Sequence, residues 1–241
     1  MSNARKAFFA GVRAELPILL GVVPFGLIYG ITALAAGIPP VLAQAMSWIV
    51  FAGSAQFVIA QLVAGGAPAL IVVVTTFVVN LRHVLYSASV APYVQPLAAR
   101  WKRLLAYLLT DEAYAVVISR FREAPEGPGK RWFFLGAGLA LWATWQASTA
   151  VGIFLGASVL ASWPLDFALP LTFIALAVPA VRDGAAAAAA VTAGVVVIVA
   201  AGLPHRLDLL VAAGAGAAAG LAVEAMGIRP APEPARGERA E

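Results

Sequence analysis

From Leu16 to Leu81 the chain reads LPILLGVVPFGLIYGITALAAGIPPVLAQAMSWIVFAGSAQFVIAQLVAGGAPALIVVVTTFVVNL, without one Asp, Glu, Lys or Arg. A helix that spans a bilayer needs about 20 apolar residues, so this stretch holds about three crossings. Only Arg5, Lys6, Arg13 and Glu15 carry charge before it. Charge-free runs return at 132–165, 167–181, 184–204 and 209–223. The pattern gives an all-α polytopic integral membrane protein of about seven to eight membrane segments, some of them broken or re-entrant.

Composition agrees. In 241 residues there are 16 Lys+Arg and 12 Asp+Glu, so charged residues make up 12% of the chain, about half of the roughly 25% usual in soluble domains. Mean hydropathy is +0.90. So few charges cannot cover a soluble fold, which argues against a soluble enzyme, a disordered protein and a nucleic-acid binder. The pI near 9.8 comes with a net charge of only +4. The basic residues sit at chain ends and in loops, as they do around membrane spans. With no cysteine, thiolate chemistry and disulfides are excluded, and no catalytic residue, metal site or cofactor is implied.

Turn signals divide the chain. Ile38-Pro39-Pro40 closes a first segment at 16–37, and Gly65-Gly66-Ala67-Pro68 closes a second at 41–64. The first segment carries Pro17 and Pro24 and exceeds the core of a signal peptide, so it reads as a membrane helix despite the Ala33-Leu34-Ala35 triplet. A third segment covers 69–90 and stops before Pro92. A basic link (Arg100, Trp101, Lys102, Arg103) leads to a short segment, 104–119, with Asp111 and Glu112 at its middle. A hydrophilic loop at 120–131 separates the halves. Further spans are expected at 132–158, 165–181, 185–203 and 207–224, with breaks at Trp163-Pro164, Arg182-Asp183-Gly184 and Gly202 to His205. Residues 1–15 read as a cytoplasmic N-terminus, 16–225 as one transport domain and 226–241 as a disordered polar tail.

Lys and Arg in short loops set orientation. Arg5, Lys6 and Arg13 place the N-terminus in the cytoplasm, and Arg120, Arg122, Lys130 and Arg131 do the same for the central loop. The link at 100–103 conflicts with simple crossings; a re-entrant segment earlier in the chain would bring it inside. Whether 41–64 spans or re-enters stays open. At an offset of 126, Gly26-Leu-Ile-Tyr-Gly30 echoes Gly152-Ile-Phe-Leu-Gly156, Leu34-Ala35 echoes Leu160-Ala161, and Asn80-Leu81-Arg82 faces Arg206-Leu207-Asp208. An internal repeat would fit repeat-built transporters; chance in a chain rich in Ala, Leu and Gly is the competing reading.

The most unusual stretch is Phe51-Ala52-Gly53-Ser54-Ala55-Gln56-Phe57. Small residues there suit close backbone approach, and Gln56 is costly in lipid unless it faces protein or water. An unwound turn would free backbone groups, tolerated at membrane depth only where they line a cavity or are buried. Freed N–H groups suit a carboxylate and freed carbonyls an ammonium, which together describe an amino-acid zwitterion. A tight packing seam is the bland alternative. Pro24-Phe25-Gly26 resembles a second breakpoint, with a purely structural proline kink as its alternative. Asn80, Arg82, His83 and Tyr86 form the strongest polar cluster, with Asn80, His83 and Tyr86 spaced three apart on one helix face. Arg82 in a membrane segment suggests function, against snorkelling to headgroups. Asp111 and Glu112, if buried, could carry protons, or could face water or Arg82.

Taken together, Pro24-Phe-Gly26, Phe51 to Phe57, Asn80-Leu-Arg82-His83 with Leu85-Tyr86, Asp111-Glu112 and Leu169-Pro-Leu-Thr-Phe-Ile174 resemble the AzlC family of bacterial inner-membrane branched-chain amino acid permeases, over roughly residues 8–225. The resemblance implies export of valine, leucine, isoleucine and sometimes methionine, and a small AzlD-type membrane partner protein. A permease subunit of an ABC-type transporter is an alternative, although no Gly-x-x-x-x-Gly-Lys-Ser/Thr motif is present. An intramembrane serine hydrolase built on Ser54 with His83 or His205 is a remote one, lacking the Gly-x-Ser-x-Gly elbow. On the physical reading, Pro24, Phe25, Gly26, Gly53, Ser54, Ala55, Gln56, Phe57, Asn80, His83 and Tyr86 are substrate-binding candidates. Arg82, Asp111 and Glu112 are candidates for charge coupling.

Overall fold

A computed structural model describes residues 3–124, 129–159, 181, 183–203 and 207–226. Expectations for 165–180, Trp163-Pro164, Leu169 to Ile174, Arg182, His205-Arg206 and 227–241 fall outside the described residues. The chain divides into two compact units, Met1–Leu169 and Pro170–Glu241. The described residues form helices and turns, and three helical stretches are long and apolar enough to cross a membrane: Asn3–Ala35, Ala69–Val94 and Lys130–Gly156.

α1 (Asn3–Ala35) begins well inside the stretch read as a separate N-terminal segment, and ends in a Schellman turn. Gly37, at φ +79°, donates to the Leu34 carbonyl and Ile38 to that of Ala33; glycine tolerates this left-handed position, and Pro39-Pro40 prevents continuation. The helix passes unbroken through Pro17 and Pro24, so of the two readings of Pro24–Gly26 the breakpoint does not hold. The reason is α8 (Lys130–Val159), which lies against α1 along its length and outweighs the bond that a proline removes. A Cβ on Gly26 would fall on the Ser148 hydroxyl, one on Gly30 on the backbone of Thr149 to Ile153, and one on Gly152 on the Leu27 carbonyl. Toward the other end Gly11 meets Phe133 and Gly136 meets Phe8. Residue numbers rise together on the two helices, so they run parallel. The echo between Gly26–Gly30 and Gly152–Gly156 therefore falls on two small-residue faces packed on each other; its Leu160-Ala161 and Arg206 portions lie outside the described residues.

The segment expected at 41–64 is two helices, α2 (Pro40–Val50) and α3 (Gly53–Ala64), separated at Phe51-Ala52. Phe51 takes φ +38°, a left-handed conformation unusual for a bulky residue. A second Schellman turn at Gly66, φ +67°, ends α3. The next span, α4 (Ala69–Asn80) and α5 (Arg82–Val94), has an irregularity at Leu81 and includes Pro92, so it does not stop before that proline. The segment expected at 104–119 is also two helices, α6 (Ala99–Tyr107) and α7 (Asp111–Glu123). Asp111 and Glu112 are its first turn, not its middle. Thr110 caps α7 by accepting from the Ala113 N–H, and acidic residues favour a helix N-terminus. The 120–131 loop shrinks accordingly, since Arg120 and Arg122 are on α7 and Lys130 and Arg131 open α8.

Contacts between rings and cations fix the path of the chain. Trp101 packs on Trp132, Arg131 lies over both rings, and Lys130 lies over Tyr93 and Phe121. Asn3, Ala4, Tyr93, Pro96, Leu97 and Gly129 line one shallow cavity. The starts of α1, α6 and α8 and the ends of α5 and α7 thus share one basic end. Because α4–α5 comes back to that end, the chain must enter α2 and leave α3 at the opposite one. Segment 40–64 re-enters. By the same logic α6–α7 leaves the basic end and returns to it. At 1.5 Å per residue, none of these four helices, 9 to 13 residues each, covers the roughly 30 Å of a bilayer core. The conflict over the basic link at 100–103 disappears, since it sits with Lys130 and Arg131.

In the second unit, Asp183 caps α9 (Gly184–Val199) through the Ala186 N–H, and α10 (Leu207–Ala225) packs on it antiparallel, Gly216 and Gly220 lying against Ala193, Ala189 and Ala185. The absence of native cysteine makes the path directly testable. Single cysteines at Ile38 and Ala67 should react with an impermeant maleimide from one face of the membrane, and a cysteine at Leu97 from the other. Labelling of Ile38 and Ala67 from opposite faces would show that 40–64 crosses.

Candidate functional site

The two breaks meet at mid-depth, beside Trp142, Trp145 and Gln146 of α8. A helix leaves its last carbonyls without internal partners, and lipid supplies none. Here side chains do. Gln146 Nε2 donates to the Ser47 carbonyl (3.1 Å) and Tyr107 Oη to that of Trp48 (2.6 Å). Trp142 Nε1 in turn donates to Tyr107 Oη (2.9 Å), and the Phe51 and Tyr107 rings lie 5.7 Å apart. Further along α2, Tyr29 Oη donates to the Ala43 carbonyl (3.0 Å), and Gln44 pairs with Gln146 (2.8 Å). Tyr107 at the end of α6 thus ties one break to the other.

Across this junction stand two helix N-termini. α3 starts at Gly53 after Ala52, which offers no side-chain cap. α7 starts at Asp111 with Thr110 as cap and two acids in its first turn. Arg82, at the Leu81 irregularity, reaches both: it donates to Ser54 Oγ (2.5 Å) and forms an ion pair with Asp111 (2.5 Å). Between them lies a cavity of about 20 Å³ lined by Val22, Phe25, Phe51, Gly53, Thr110, Glu112, Leu141 and Trp145. That is room for a water, whereas small-molecule pockets run to roughly 300 Å³ or more. In this state the junction is closed.

Most of the residues singled out in the sequence gather here. Phe25 and Gly53 are on the cavity wall, and a Cβ on Gly53 would press on Trp145 and Phe25. Gln56 is fully buried; its Oε1 accepts from Trp145 Nε1 (3.1 Å), while Nε2 has no partner among the described residues. Ala55 and Phe57 are buried too, and Phe57 packs behind Phe25 at 4.8 Å between centroids instead of facing the cavity. Pro24 lies within a continuous helix, and Gly26 serves the α1–α8 contact. Asn80 is where α4 ends; its carbonyl accepts from His83 Nδ1 (3.2 Å) and its buried Oδ1 has no partner among the described residues. His83 meets Tyr86 edge-on, and Tyr86 stacks on Tyr114 at 4.5 Å. Ser54 is held by Arg82 and His83 turns to Asn80, so the nucleophile–base pair that a hydrolase requires is not formed by them.

Sequence reasoning missed Trp145, Gln146, Tyr107, Thr110 and Glu15. Thr110-Asp111-Glu112 is a legible helix start, and Gln146 is a polar residue in an apolar run of the same kind as Gln56. Glu15, the last charge before the long apolar stretch, is completely buried.

A family model described as AzlC protein matches residues 17–159, which holds both breaks and Arg82. The chain belongs to the AzlC family. Its match ends where α8 does, short of the 8–225 expected from the motifs. Relatives agree in kind. Inner membrane protein YgaZ of Escherichia coli K12 is 30% identical over 173 residues, covering 69% of this chain and 70% of that protein. The branched-chain amino acid transport protein AzlC of Bacillus subtilis 168 is 28% identical over 179 residues, 72% and 69% of the two chains. An uncharacterized membrane protein of Archaeoglobus fulgidus is 29% identical over 176 residues, 73% and 75%. No solved structure matches.

Removing one half of a buried hydrogen bond strands the other. Trp145→Phe should destabilise the protein in detergent by about 1–3 kcal/mol, and adding Gln56→Leu should recover part of the loss. A thermal-unfolding series in which the two losses simply add would show that this bond does not organise the junction.

Proposed function

We propose that this AzlC-family protein is the large subunit of a secondary transporter for branched-chain amino acids, valine, leucine and isoleucine, with methionine as a further substrate. Its direction is export across the bacterial inner membrane. The basic end faces the cytoplasm, as the distribution of Lys and Arg favours, and a small AzlD-type membrane protein is its partner. The Bacillus subtilis relative, a branched-chain amino acid transport protein, supports the substrate class.

One observation carries the reading: two half-helices begin at mid-depth, and their ends are electrically unlike. The α3 end has uncapped N–H groups at Gly53, Ser54 and Ala55, carries no acid, and has the Arg82 guanidinium beside it. It suits a carboxylate. The α7 end has its dipole offset by Asp111 and Glu112, and suits an ammonium. A zwitterion fits across the gap, with its side chain against Val22, Phe25, Phe51, Leu141 and Trp145. An apolar wall with polar groups only at one side selects branched aliphatic side chains over charged ones. Because the cavity is closed, loading requires the two tips to part, and Arg82 must exchange Ser54 or Asp111 for the substrate carboxylate. Gln56, Asn80, His83 and Tyr86 surround this exchange and are its polar lining. Alternating access then moves the two hairpins about the packed α1–α8 pair.

Counter-flow of radiolabelled leucine in liposomes, with the partner co-expressed, tests the proposal. Wild-type protein should accumulate label, and Gln56→Ala and Asn80→Ala should lower counter-flow by about tenfold or more while inserting normally. Wild-type rates in both variants would remove the site assignment, and no leucine movement by the wild type would remove the function.

A further inference from the structure

Glu15 is completely buried, and neither carboxylate oxygen has a hydrogen-bond partner among the described residues. It lies on the buried face of α1 with Gly11, Val22 and Gly26. Val22 is on the wall of the central cavity together with Glu112. Glu15 sits two helical turns from Val22, about 10 Å, on the side of the basic end. α7, which carries Glu112 in its first turn, packs against α1. The elements packed on α1 bring few other charges. α2 and α3 have none; α8 has only Lys130 and Arg131, in its first turn at the basic end; α7 has Asp111, paired to Arg82, and Arg120, Arg122 and Glu123 toward its far end. Arg13, on α1 itself, is exposed.

An ionised carboxylate sealed from water with no cation or donor is among the costliest arrangements a fold can hold. Protonation removes that cost. No cluster of three acidic, histidine or cysteine groups that could hold a metal ion occurs among the described residues. We propose that Glu15 is the proton-carrying residue of this transporter, exchanging a proton with Glu112 at the central cavity and with water at the basic end. This rests on the proposed transport function for its physiological meaning, but the proton site itself is independent of the substrate. In one half-cycle Glu112 takes a proton from water in the cavity and passes it to Glu15. In the other, Glu15 releases it at the basic end and is left briefly ionised, which favours return to the loaded state. Proton entry is thereby linked to substrate leaving in the opposite direction.

Two readouts on the full protein with its partner in lipid test this. In infrared spectra at neutral pH, wild-type protein should show a protonated-carboxyl band that Glu15→Gln lacks and that Glu15→Asp retains with a shifted pH midpoint. In liposomes, Glu15→Gln should lower leucine flux driven by a pH gradient about tenfold while leaving counter-flow at equal pH within about twofold, and Glu15→Asp should restore gradient-driven flux. Identical infrared spectra for wild type and Glu15→Gln, or gradient-driven flux that survives in Glu15→Gln, would overturn the proposal. If the infrared difference appears but the wild type moves no leucine, the substrate reading has failed and the proton site stands.

Discussion

A peptide group at membrane depth must find a partner inside the protein, and most of this architecture follows from that need. Breaking a helix at Phe51-Ala52 leaves the Ser47 and Trp48 carbonyls open at the end of α2. Gln146 and Tyr107 close them, and Trp142 holds Tyr107 in place. Those three side chains come from α8 and α6, so the first break cannot be satisfied unless the second hairpin and the long helix are already docked against it. The α1–α8 pair supplies the frame: glycines at 11, 26, 30, 136 and 152 bring two backbones together along their length.

The arrangement also has a direction. A long span followed by a broken, re-entrant pair occurs as α1 with α2–α3, and occurs again as α4–α5 with α6–α7, the second time running the opposite way. Inverted pairs of this kind are found in secondary transporters, whose breaks meet near the midplane. Here the pairing is asymmetric in charge. The α3 start is bare and the α7 start is acidic, and Arg82 is placed between them. The Arg82–Asp111 ion pair is half-buried. It bridges the starts of α3 and α7, and in the proposed transport cycle those two tips part.

Much of this was readable in the chain. The charge-free stretch from Leu16 to Leu81 gave the class, and Phe51 to Phe57 marked a real break because small residues and a buried glutamine have no place on a lipid-facing helix. The basic link at 100–103, at odds with simple crossings, already pointed to a re-entrant segment. Other features were misread for physical reasons. Pro24 could be read as a break or as a kink; the helix is continuous through it, and the helix packed along α1 comes from more than a hundred residues away in sequence. Asp111 and Glu112 looked like mid-segment acids; they are a capped helix start, signalled by Thr110, and Asp111 faces Arg82, one of the two readings open for the pair. The offset of 126 drew attention to parallel packed helices, while the inverted relation leaves no comparable trace in residue identity. Glu15 was passed over as a boundary charge, because burial by a parallel partner helix cannot be seen from local pattern.

The most direct test is an electron cryomicroscopy map of the protein with its partner in a lipid nanodisc, in the presence of leucine. The account predicts helix breaks at residues 51–52 and 108–110 at one depth near the bilayer centre, with ligand density between the starts of α3 and α7 and its carboxylate against Arg82. Continuous helices through 40–64 and 99–123, each crossing the bilayer without a gap between them, would contradict it.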